Sequence, residues 1–69
     1  MSEKIVVITQ EDGDDKVVSA VEWRWYVPQI GATVSVCNDK AQATAEVKAA
    51  VADGYRPTGN ATRELLNGR

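Results

Sequence analysis

The sequence predicts an α+β domain: a three-stranded antiparallel sheet (β-β-β) with one alanine-rich helix packed on one face, and room for a short C-terminal helix. Three observations carry that expectation. Lys16–Val27 is rich in β-branched and aromatic residues, with Trp23 and Trp25 two positions apart, and side chains two apart on a strand share one face. Gly and Pro punctuate the chain between three strand-like runs. An alanine-rich stretch then follows a good helix cap.

The first strand is expected over residues 4–10. Its run Ile5-Val6-Val7-Ile8 is apolar on both sides, the pattern of a strand covered twice. Glu11-Asp12-Gly13-Asp14-Asp15 reads as a turn, tightest at Asp12-Gly13. The second strand spans 16–27 and stops at Pro28, which has no N–H for a ladder. Gln29-Ile30-Gly31 turns the chain, and residues 32–37 alternate as a third strand. Asp39 caps a helix over 40–53, Gln42 completes a capping-box pattern, and Asn38 competes as the cap. Ala43, Val47, Ala50, Val51 and Gly54 recur at helical spacing, and Gly54 supplies the stop. Residues 55–59 read as loop. Asn60 then caps a short helix over 61–67, carrying Leu65 and Leu66 and stopped by Gly68. Residues 1–69 form one small domain, without repeat or linker.

Two successive hairpins place Gln10 opposite Lys16, Ile8 opposite Val18 and Val6 opposite Ala20, then Val27 opposite Ala32, Trp25 opposite Val34 and Trp23 opposite Val36. One face collects Ile5, Val7, Val17, Val21, Trp23, Trp25, Val27, Val34 and Val36, and is the expected core under the helix. The other collects Val6, Ile8, Val18, Ala20, Glu22, Arg24, Tyr26, Thr33, Ser35 and Cys37. One helix covers one face only, so the second needs either Leu65 and Leu66 or another chain.

Composition narrows the chemistry. The formal net charge of −2 argues against broad nucleic-acid binding, which relies on Lys and Arg to neutralise phosphates. The acidic residues gather at Glu11–Asp15, whereas Arg56, Arg63 and Arg69 lie near the C-terminus. Residues 1–10 hold no apolar run long enough for a signal peptide or membrane span, so the expectation is a cytoplasmic protein. There is no histidine, and one cysteine builds neither a disulfide nor a thiolate metal cage. Cys37 precedes a helix N-terminus, which favours a thiolate, but it has no base near it in sequence and reads as a structural thiol. The acidic turn lacks the spacing of a calcium loop, and the glycines form no phosphate-binding motif. Asn60-Ala61-Thr62 matches a glycosylation sequon without other signs of secretion. No enzyme, metal or cofactor is expected.

The expected function is that of a small non-enzymatic protein-binding module, an inhibitor or regulator that docks on a larger protein. Val6, Ile8, Val18, Arg24 and Tyr26 on the outer face supply the contact, and Asp12, Asp14 and Asp15 steer a basic partner. The alternatives are a nucleic-acid-binding three-stranded sheet using Arg24, Tyr26 and the C-terminal arginines Arg56, Arg63 and Arg69, and a self-associating structural subunit, a homodimer at its simplest. The Glu11-Asp12-Gly13 hairpin, Val27-Pro28 with Gly31, and the alanine-rich helix are similar to the N-terminal module of HicB-type antitoxins over about residues 4–52. That resemblance implies a partial RNase H-like sheet that neutralises a small toxin ribonuclease. The strand order also resembles plant AP2-type DNA-binding domains and recombinase arm-binding domains, whose sheets carry several arginines where this one has mainly Arg24. Compact regulators of this kind include antitoxins and phage proteins.

Overall fold

The doubly apolar run Val6-Val7-Ile8 occupies the interior of the sheet. In the computed structural model, which describes residues 4–67, β1 (Ile5–Asp12) lies between β2 (Asp15–Glu22) and β3 (Ala32–Cys37). A two-residue β4 (Arg56–Pro57) sits outside β2, giving a four-stranded sheet of order β3-β1-β2-β4. β1 is antiparallel to both neighbours, and β4 is parallel to β2. The α+β class stands, but the expected pairing of the second strand with the third does not form. β1, not β2, is the strand shared with β3, and among the described strands it is the one with buried apolar side chains on both faces, Val7 on one and Val6 and Ile8 on the other.

The hairpin register is one residue away from the expected one. Gln10 pairs with Val17, Ile8 with Ser19 and Val6 with Val21. The cause is the turn: both strands run on to Asp12 and Asp15, leaving the two-residue loop Gly13-Asp14. Gly13 has φ +62° and Asp14 does not have a positive φ, the pattern of a type II′ loop. A one-residue slip exchanges faces. Val18 and Ala20 therefore join Val7 and Cys37 beneath the helices, while Val17 and Val21 join Val6 and Ile8 on the opposite side.

α1 (Lys40–Ala52) starts where the caps dictate. Asp39 Oδ1 accepts from the Gln42 N–H at 2.8 Å, and Gln42 Oε1 accepts from the Asn38 N–H at 3.1 Å. Asp39 is the cap, and Asn38 contributes only its backbone. The helix ends in a Schellman motif: Gly54 N–H donates to Val51 O at 3.1 Å and Tyr55 N–H to Ala50 O at 3.0 Å, with Gly54 at φ +100°. Ala43 and Val47 are fully buried, whereas Val51 faces solvent. α2 (Asn60–Leu66) follows with Gly59, not Asn60, in the cap position. The expected stop at Gly68 lies outside the described residues.

Leu65 joins Val7, Val18, Ala20, Cys37, Ala43 and Val47 in one core cluster, with Leu66 packed against it. Leu65 and Leu66 thus add to the face already under α1. The second face is covered differently. β2 and β3 run parallel with β1 between them, so the chain over residues 23–31 must cross β1. The α1 crossover from β3 to β4 travels back in the opposite direction. Two right-handed crossovers of opposite direction lie on opposite faces. Burial agrees: Val6 and Ile8 point away from the helices yet are buried. The crossover covers them.

Backbone phase follows from a single bond. Trp23 N–H donates to Lys4 O at 3.0 Å, making that the hydrogen-bonded type of antiparallel pair. Such pairs alternate, so even-numbered residues of β1 bond β2 and odd-numbered ones bond β3. Even-numbered residues of β2 then point away from β1, and they find partners: Thr58 N–H donates to Val18 O at 2.9 Å, and Ala20 N–H to Thr62 Oγ1 at 2.8 Å. The β2 side of the sheet is closed.

Candidate interaction surface

The expected contact residues are divided by the fold. Val6, Ile8 and Val18 are buried, Val6 and Ile8 beneath the crossover and Val18 beneath the helices, and they present no surface to a partner. The one-residue shift in register turns Val18 to the helix side, and the crossover runs over the face that holds Val6 and Ile8. Asp12, Asp14 and Asp15 are exposed at the hairpin tip. Arg24 and Tyr26 lie just past the other end of β2, about 25 Å away at the usual rise per residue. The structure does not bring the acidic tip and the Arg24–Tyr26 segment together.

What surrounds Arg24 and Tyr26 is more apolar than the sequence suggests. β2 stops at Glu22 and the chain enters a single 3₁₀ turn, Trp23–Trp25. Alternation ends there, so the two tryptophans leave the sheet. Expected in the core, Trp23 is 52 % exposed and Trp25 70 %. Positions three apart eclipse in a 3₁₀ turn. Accordingly the Trp23 and Tyr26 rings stack, 5.9 Å between centroids and 18° between planes. Val27 and Ile30 follow at 68 % and 99 % exposure. Val36, on the same sheet face, is exposed as well.

Charge is organised around these rings. Arg24 lies with its guanidinium 5.8 Å from the Trp25 ring centroid while its Nε donates to Glu22 Oε2 at 3.0 Å. At the hairpin, Arg56 forks onto both Asp15 oxygens at 3.0 and 3.3 Å. Lys16 lies 4.5 Å from the Tyr55 ring centroid and donates to Asp53 O at 3.3 Å. The Arg24–Glu22 and Arg56–Asp15 pairs are exposed, so they contribute position more than stability, whereas Lys16 and the core-packed Tyr55 are half-buried.

Cys37 belongs to the core, not to the surface. Burial pushes its thiol up, and the carboxylates of Glu46 and Asp39 push it the same way. Among the described residues no group of three or more His, Cys, Asp or Glu is arranged to hold a metal ion. No described helix is long and apolar enough to cross a membrane. A shallow hollow of about 170 Å³ is lined by Lys4, Glu22, Trp23 and Arg24, and another of about 220 Å³ lies between β2 and α2. Both are smaller than the roughly 300–1,000 Å³ usual for small-molecule sites.

Comparison with known proteins finds no matching family description, no matching curated protein and no matching solved structure.

Proposed function

We propose that this domain is a non-enzymatic protein-binding module, an inhibitor or regulator, whose contact surface is the crossover around Trp25, Val27 and Ile30. One observation carries the reading: within eight consecutive residues, 23–30, the chain exposes two tryptophans, a valine and an almost fully solvated isoleucine. Contiguous apolar patches on small proteins mark interaction sites, and Trp, Tyr and Arg are the residues that dominate interface energetics. Arg24 and Tyr26 belong to this surface, with Arg24 and Lys4 at its rim. The acidic tip acts at a distance, steering a basic partner large enough to span the sheet. Trp25→Ser with Ile30→Ser tests the assignment, because neither side chain supports the core. The expected result is an unchanged unfolding midpoint together with loss of a protein that the wild type retains from extract of its native source. Equal retention by both proteins, or tight salt-sensitive binding of labelled DNA or RNA, overturns it.

A further inference from the structure

The two borders of the sheet are finished differently. At the β2 border, β4 pairs beside Val17 and Val18, Thr58 N–H donates to Val18 O and Thr62 Oγ1 accepts from the Ala20 N–H, so the middle of that border is occupied. At the β3 border the outward groups belong to Ala32, Val34 and Val36, since Thr33, Ser35 and Cys37 spend theirs on β1. Among the described residues no strand lies outside β3. Ala32-Thr-Val-Ser-Val-Cys37 also lacks the usual protections of an edge, having no Lys, no Pro and no charge.

We infer that β3 pairs antiparallel with β3 of a second copy of this chain, about a two-fold axis at Val34. The backbone phase selects this register. Hydrogen-bonded pairing across the new seam requires two outward-facing residues, hence two even-numbered ones. Centring on Val34 sets Ala32 opposite Val36 of the partner and Val34 opposite itself, using every outward group of the strand. The same parity keeps side chains on matching faces. Thr33 and Ser35 meet their counterparts on the helix side, while Ala32, Val34 and the exposed Val36 meet on the crossover side. No like charges oppose each other along the strand, and cross-strand β-branched pairs are favourable. The contact is isologous and uses an edge each copy has once, because the β2 border is closed. Assembly therefore stops at two chains. This inference is independent of the partner proposed for the crossover.

Sedimentation or light scattering across a concentration series tests it, with an expected shift from the 7.5 kDa chain to twice that mass. Val34→Pro removes an N–H that bonds nothing within the monomer, and edge strands tolerate proline. That variant is expected to stay folded by circular dichroism and to lose the dimer. Ser35→Pro removes a ladder bond to β1 and is expected to unfold. Cysteine substitution checks the register without depending on those variants. In Val34→Cys the two sulfurs sit on a pair with Cα atoms about 5.5 Å apart, within the roughly 4.4–6.8 Å a disulfide spans. In Val36→Cys they are about 14 Å apart, four residues along the strand. Mild oxidation should cross-link the first and not the second, and native Cys37 is too buried to confuse the result. The inference is overturned by a monomer at chain concentrations up to about 1 mM, where even a millimolar dimer would be substantially populated. Open-ended polymers, or cross-linking of Val36→Cys as fast as Val34→Cys, overturn it equally.

Discussion

Among the described residues Thr62 is the buried polar side chain of the core, and its hydroxyl accepts from the Ala20 N–H at 2.8 Å. It holds α2 against β2 beyond the point where β4 ends. Thr62→Val keeps the shape and leaves a buried N–H without a partner, at a cost of about 1–3 kcal/mol. Urea unfolding should report a lower midpoint at unchanged slope, with Thr62→Ser closer to wild type. Nothing in the sequence around Thr62 signals this role; within Asn60-Ala61-Thr62 it resembles a sequon, and the N–H it serves lies 42 positions earlier. Asp39 and Gln42, by contrast, are legible because capping is settled within four residues. Cys37 supports a second expectation. Its thiol is raised by burial, so the native state keeps the proton to higher pH than the unfolded chain. The unfolded state then binds fewer protons, and stability falls as pH rises above the ordinary thiol value of 9.0. Denaturation between neutral pH and alkaline pH should show that loss, and Cys37→Ala should remove its contribution.

Among the elements, the β1–β2 hairpin decides which side chains share a face. Gly13 is the first residue of its type II′ loop, at φ +62°, and a Cβ there would meet nothing within 4 Å. The penalty for Gly13→Ala is therefore conformational and not steric, about 1–2 kcal/mol, read as a lowered thermal midpoint. Existence of the hairpin is plain in the sequence; its register is not. Alternating residues Val6, Ile8 and Val18, Ala20 can be grouped in either phase, because Val7, Val17 and Val21 are equally apolar. Only the two-residue length of the loop resolves the choice. The same ambiguity extended β2 too far: Trp23, Trp25, Tyr26 and Val27 keep high strand propensity after the ladder has closed at Lys4–Trp23. Propensity there describes side chains that suit a sheet, while connectivity requires the backbone to leave one.

At the scale of the molecule, the fold is a solution to covering one strand twice with few residues. The radius of gyration, 11.2 Å, is close to the roughly 11 Å of a compact chain this long. Helices α1 and α2 cover one face, and an irregular crossover of residues 23–31 covers the other. The apolar run of the first strand already implies double cover. Consecutive strands usually lie side by side, and that habit favours a three-strand meander in which the second face stays open. The actual order carries the crossover over the face of Val6 and Ile8, and Trp25, Val27 and Ile30 along it remain exposed. Stability and recognition are therefore separable along this segment: changes at Trp25 or Ile30 should alter binding alone.

The interior position of β1 also sets an order of events. During synthesis this strand is made before either neighbour, and its hairpin partner is complete once Glu22 has been added. Its other flank stays bare until Cys37 follows, after the chain has swung across the sheet. A nascent chain paused between those two points shows the cell a half-finished sheet with one edge of its central strand unpaired, and Val7 stays bare longer still, until the helices that cover it are made.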